Sequence, residues 1–107
     1  MEENKPLVSV ILTCYNRENY IRRSLESIIN QTYTNLEIVV VDDCSTDNSV
    51  EIIKSYNDER IKLICLDKNG GIGIAKKTGG DNSSGEYLCF LDSDDYYMPE
   101  YVDLNIN

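Results

Sequence analysis

The stretch Tyr87-Leu88-Cys89-Phe90-Leu91-Asp92-Ser93-Asp94-Asp95 runs five apolar residues straight into three carboxylates. A strand that ends this way delivers like charges into one small volume. Such charges raise one another's pKa and repel unless a cation lies among them, and a divalent ion with oxygen ligands is the usual partner. The segment therefore reads as a metal site, which in turn implies an anionic ligand. It reads equally as a turn and helix N-cap, because Asp and Ser favour both. Taken alone, the segment leaves the two open.

Upstream lie three more apolar runs of strand length, at residues 7–12, 36–41 and 61–66, which join 87–91. None alternates cleanly between apolar and polar, as expected for strands of a parallel sheet covered on both faces. Between them the spacing turns helical. Ile21, Leu25, Ile28 and Ile29 form one face, with Arg22, Arg23, Glu26 and Asn30 opposite. A second helix is predicted over 46–56, with Val50, Ile52 and Ile53 as its apolar face and Ser45 or Thr46 with Asp47 capping its start. A third, short and flanked by glycines, is predicted over 71–78. The order β-α-β-α-β-α-β specifies a parallel α/β sheet, and open sheets of this kind bind ligands beyond the carboxyl ends of their strands. Those four ends read Thr13-Cys14-Tyr15-Asn16, Asp42-Asp43-Cys44-Ser45, Asp67-Lys68-Asn69-Gly70-Gly71 and Asp92-Ser93-Asp94-Asp95. Polar chemistry thus collects at one edge, while residues 32–35 and 57–60 at the other look like ordinary connectors.

Composition narrows the function. At 107 residues the chain has the length of one domain. Nineteen acids against ten Lys and Arg give a net charge of −9, which argues against nucleic acid or an anionic membrane as the main partner. An anionic substrate would need a cation as go-between. Cys14, Cys44, Cys65 and Cys89 include no CxxC pair, and the chain has no histidine to complete a zinc site. They read as reduced, buried thiols in a cytoplasmic setting. No apolar stretch approaches the ~20 residues that span a bilayer, and the acidic start Met1-Glu2-Glu3 is wrong for a signal peptide, so the expected chain is soluble.

The strand ends together resemble the amino-terminal half of a family 2 glycosyltransferase of the GT-A fold. The resemblance rests on Val8-Ser9-Val10-Ile11-Leu12-Thr13-Cys14-Tyr15-Asn16, Ser27-Ile28-Ile29-Asn30-Gln31-Thr32-Tyr33, the run from Glu37 to Asp47, Asn69-Gly70-Gly71, Gly85-Glu86-Tyr87 and Phe90-Leu91-Asp92-Ser93-Asp94-Asp95. It implies a three-layer α/β/α fold with a mostly parallel sheet in the order 3-2-1-4, the nucleotide-binding half of a Rossmann-like domain. Asp92-Ser93-Asp94 then matches the DxD motif, which holds Mn²⁺ or Mg²⁺ against the diphosphate of a nucleotide sugar. Asp94 becomes the direct metal ligand, and Asp92 contacts the ribose or a metal-bound water. Thr13, Cys14, Tyr15 and Asn16 match the loop beneath the base, where Tyr15 either stacks on the base or packs on the first helix. Asp43 matches the acid that accepts the base's ring N–H, favouring uracil or thymine; its neighbour Asp42 either competes for that role or only caps the turn, and sequence does not separate the two. Asn69-Gly70-Gly71 matches the loop near the ribose and phosphates, and reads equally as a plain turn.

The departures matter as well. Thr13 stands where the family usually has proline, and Ala75-Lys76-Lys77 replaces an Ala-Arg-Asn run. The two lysines either offset phosphate charge or are simply solvated. The family's catalytic domain is about twice this length, and its second half supplies the acceptor site and general base, so no residue here is assigned a catalytic role. The resemblance implies inverting sugar transfer to a sugar, lipid or protein hydroxyl in cell-surface polysaccharide assembly, with this chain an inactive donor-binding fragment. Strand 87–91 would then be left as an exposed edge through which a homodimer forms. The competing class is a non-catalytic nucleotide-binding domain or a receiver-like Mg²⁺-binding regulatory module. A receiver, however, needs an acid pair after its first strand, where this chain has Thr13-Cys14.

Overall fold

The computed structural model describes residues 5–92 and 96–106, with side chains described as far as Asp103. Its elements run β1 (Val8–Cys14), α1 (Ile21–Ile29), β2 (Leu36–Asp42), α2 (Ser49–Lys54), β3 (Ile61–Cys65), α3 (Ile72–Asp81), β4 (Tyr87–Asp92) and α4 (Tyr101–Ile106). The four strands form one parallel sheet in the expected order β3-β2-β1-β4.

The chain builds from β1 outward to β3, then doubles back past β1 to lay down β4. Right-handed crossovers therefore place α1 and α2 on one face and α3 on the other. Residue parity agrees. Val8, Val10 and Leu12 pack with Ile38 and Val40 beneath Ile21, Leu25 and Ile28 of α1 and Ile53 of α2. Ile11, Val39 and Val41 face the opposite way and meet Ala75 of α3. Every residue of β1 is buried, which explains why its sequence does not alternate. In α1 the buried positions 21, 24, 25 and 28 follow the i, i+3, i+4, i+7 spacing of one helical face.

Three expectations about elements are revised. Helix α2 is shorter than the predicted 46–56, although Asp47 does serve its start: Oδ1 accepts the Ser49 N–H at 2.9 Å. Helix α3 continues through Gly79-Gly80 to Asp81 instead of stopping at Thr78. Gly79 fits because α3 lies tight on the sheet: a Cβ there would come within 2.5 Å of Ile11. Helix α4 was not foreseen. It is docked by Gln31, whose Nε2 donates to the Met98 carbonyl at 2.7 Å and whose Oε1 accepts the Val102 N–H at 2.9 Å.

The cysteines are free thiols, as expected, but their burial differs. Cys14 is buried, Cys44 and Cys89 are half-buried, and Cys65 is exposed because β3 is an edge strand. The connectors at the far end of the sheet are stapled by Arg60, which grips Asp58 through two bonds and donates to the carbonyls of Thr34 and Ile29. That grip holds the Asp58 carboxyl below its usual range. Among the described residues no helix is long and apolar enough to cross a membrane.

Candidate functional site

Order reverses between β1 and β4, and at such a switch point the crossovers leave a crevice beyond the strands' carboxyl ends. A cleft of about 360 Å³ opens there. Thr13 of β1 and Asp92 of β4 are register partners, so both sit at its floor. Asp43, one residue beyond β2, lies beside them because its N–H donates to the Cys14 carbonyl at 2.8 Å, extending the ladder by one step. Tyr15, Arg17, Asn69, Gly71, Ile72 and Ala75 complete the lining with Cys14.

The two acids after β2 have separate tasks. Asp42 closes its own turn, accepting the Ser45 N–H at 2.9 Å and the Ser45 hydroxyl at 2.6 Å. Asp43 spans the cleft: Oδ1 accepts the Gly70 N–H at 2.8 Å and Oδ2 the Gly71 N–H at 2.9 Å. Each carboxylate oxygen has two lone pairs, so a ligand donor can still be accepted. Gly71 holds φ +91°, a conformation that favours glycine, and from it α3 begins at the cleft wall.

Tyr15 lines the cleft with 43% of its surface exposed, available as a stacking platform. Asn16 does not line the cleft. At φ +51°, which Asn tolerates, its Oδ1 accepts the N–H groups of Thr46 at 2.7 Å and Asp47 at 3.3 Å, lashing the β1 loop to the β2 loop. These bonds hold the backbone beside Tyr15. Asp47 is shared in the same way: burial raises its carboxyl pKa, but bonds from Ser49 and the Glu18 N–H outweigh that and hold it below its usual value. Burial pushes the Cys14 thiol up to about 11, so at neutral pH it is a protonated filler.

Asp92 is exposed at the cleft, a hard oxygen donor of the kind Mn²⁺ and Mg²⁺ prefer. Among the described residues no group of three acidic, Cys or His side chains forms a metal cluster. Ser93 and Asp94, the expected donor contact and direct ligand, lie outside the described residues.

Sequence reasoning passed over Arg17, the cationic residue among those described in the lining; its position right after the β1 loop of an acidic chain was a usable signal. It also gave no role to Ser27 and Gln31. Ser27 Oγ accepts the Tyr97 N–H at 3.0 Å, so Ser27 and Gln31 together anchor the chain that follows β4.

Comparison with known proteins agrees with this geometry. The sequence model of glycosyl transferase family 2 matches residues 9–104. Glycosyltransferase GlyA of Streptococcus pneumoniae is 46% identical over 97 residues, covering 90% of this chain and 14% of GlyA. The crystal structure of S. aureus TarS 1–349 in complex with UDP-GlcNAc superposes with a TM-score of 0.88 at 38% identity, covering 92% of this chain and 30% of that one. The mannosyltransferase PcManGT of Pyrobaculum calidifontis, in complex with GDP-Man and Mn²⁺, gives 0.81 at 28% identity over 90% of this chain and 30% of its own. The chain spans less than half the length of the curated relatives it matches. With the strand order, the cleft at the switch point and the family match in agreement, this chain belongs to glycosyl transferase family 2.

Proposed function

We propose that this chain is the donor-binding half of a glycosyltransferase that moves a sugar from a UDP-sugar to an acceptor hydroxyl with inversion. The observation that carries the reading is the meeting of Tyr15, Asp43, Asn69 and Asp92, from four strand ends, in one cleft at the switch point. Tyr15 supports the base, Asp43 accepts its ring N–H, and Asn69 lies toward the ribose. Thr13 and the main chain of Cys14 line the floor. Asp92 and Asp94 would hold Mn²⁺ or Mg²⁺, with Ser93 between them against the donor. When bound, that ion neutralises the diphosphate as it leaves. The neighbours named above support this reading, one carrying UDP-GlcNAc and the other a nucleotide sugar with Mn²⁺.

Inversion needs a base to deprotonate the acceptor hydroxyl, and no residue here is assigned that task. Since these 107 residues span less than half the length of the curated relatives, we read them as a donor-binding domain, cytoplasmic in setting, that does not turn over by itself. The outer β4 edge supports pairing with a second copy, because among the described residues no strand pairs with its backbone N–H and C=O groups on that side.

Calorimetry with UDP, GDP and dTDP, each with and without Mn²⁺, tests the reading. UDP should bind best, only with metal, and Asp92→Ala should lose about tenfold or more of that affinity, the usual effect of removing one charged ligand. Equal binding by Asp92→Ala, or sugar transfer by the chain alone, would overturn it.

A further inference from the structure

Arg17 lines the cleft, and its surroundings fix where its side chain starts. Its backbone is pinned on both sides: the N–H donates to Ser49 Oγ at 2.9 Å, and the carbonyl accepts the N–H groups of Tyr20 at 2.9 Å and Ile21 at 2.8 Å. The neighbouring residues are tied as well, Asn16 through its N–H to Ser45 Oγ and Glu18 through its N–H to Asp47. The side chain therefore leaves from a fixed point. Its Nη1 donates to the Tyr15 carbonyl at 3.3 Å, which draws the guanidinium to the Tyr15 side of the cleft. A guanidinium carries five N–H donors in a rigid fork, so that one bond leaves donors for a ligand.

Resting on the donor-site reading above, we infer that Arg17 reads the base: it donates to the uracil 4-carbonyl while Asp43 accepts the adjacent ring N–H. The uracil edge alternates acceptor, donor, acceptor. A carboxylate alone serves only the central N–H and offers no donor to the flanking carbonyl. Cytosine lacks the ring N–H and places an amino group at the outer position, so it would set a donor against Arg17 and a lone pair against Asp43. Arg17 and Asp43 line the same cleft, so between them it offers a ligand both a donor and an acceptor, the pairing that uracil requires. The rival role for the same cation is a contact to the diphosphate, which would make affinity depend on phosphate number and not on the base.

The test uses the 107-residue chain with Mn²⁺, comparing wild type, Arg17→Ala and Arg17→Lys against uridine, UMP, UDP, 4-thio-UDP and inorganic pyrophosphate, with thermal melts to confirm folding. Arg17→Ala should weaken uridine, UMP and UDP by the same factor, roughly tenfold for a charge-assisted bond, and leave pyrophosphate unchanged. Lysine should fail to restore the loss, because it keeps the charge without the fork. Wild type should bind 4-thio-UDP, a poorer acceptor, more weakly than UDP, and Arg17→Ala should lose that preference. A loss that grows from uridine to UDP, or that appears with pyrophosphate, overturns base reading and assigns Arg17 to phosphate while the donor site stands. If wild type binds no UDP at all, the donor-site reading falls, and the inference with it.

Discussion

Asp42 and Asp43 are adjacent acids with unlike environments, and the difference is made by what each can reach. Asp42 lies on the α1 side of the sheet and closes a three-residue loop onto Ser45. Asp43 lies on the side of α3 and holds the backbone of Gly70 and Gly71, so it orders the cleft wall before any ligand arrives. Cys14 shows a residue-scale effect with a pH signature. Its thiol is buried in the fold with a pKa of about 11, against 9.0 when exposed. The folded pKa is the higher one, so the stability it contributes is complete below pH 9.0 and is lost as pH rises toward 11. Urea titrations of wild type and Cys14→Ala should show the wild-type advantage narrowing across that window; a gap independent of pH would contradict it.

At the scale of the element, α3 decides whether a cleft exists, because its first turn forms one wall and its last turn fixes its height above the sheet. The two glycines near its end look interchangeable in sequence and are not. A Cβ on Gly79 would press into Ile11, whereas one on Gly80 would meet nothing within 4 Å. Gly79→Ala should cost about 1–3 kcal/mol through overpacking. Gly80→Ala should stabilise by about 0.5–1 kcal/mol through helix propensity. Chemical denaturation of the two variants checks the pair, and equal effects would mean α3 is not seated as described. The anchoring of the segment after β4 by Ser27 and Gln31 belongs to the same scale: a motif at the end of α1 acts on a stretch about seventy residues later.

For the whole molecule, burial is uneven. β1 and β2 form a closed interior, while among the described residues β4 has no neighbour strand on its outer edge, and Leu88 and Phe90 on its α3 side are each 45% exposed. Lys76 shields part of Phe90, with Nζ 5.8 Å from the ring centre. Twofold antiparallel pairing of two β4 edges would satisfy those backbone groups in a closed, self-complementary interface. Sedimentation velocity across a wide concentration range should show a reversible dimer, and Leu88→Lys with Phe90→Lys should shift it to monomer. A wild type that sediments as monomer at every concentration would remove this proposal.

Much of the molecule was legible in its sequence, because short-range patterns determined it. The four apolar runs fixed the strands and their parallel character, since a strand covered on both faces cannot alternate. Polar residues just beyond those runs marked the ligand edge for the same reason. The division of labour between Asp42 and Asp43, the structural use of Asn16, the place of Arg17 and the length of α3 depended on contacts between residues far apart in the chain. Gly79 reads as a helix end by propensity but lies inside α3, where Ile11 leaves no room for a side chain. Cys65 looked buried within its apolar run and is exposed because β3 ended up at an edge. Sequence alone determined which elements form and which sheet end is polar; only the tertiary structure decided which of those polar groups face the cleft, because that depends on register and on what packs across it.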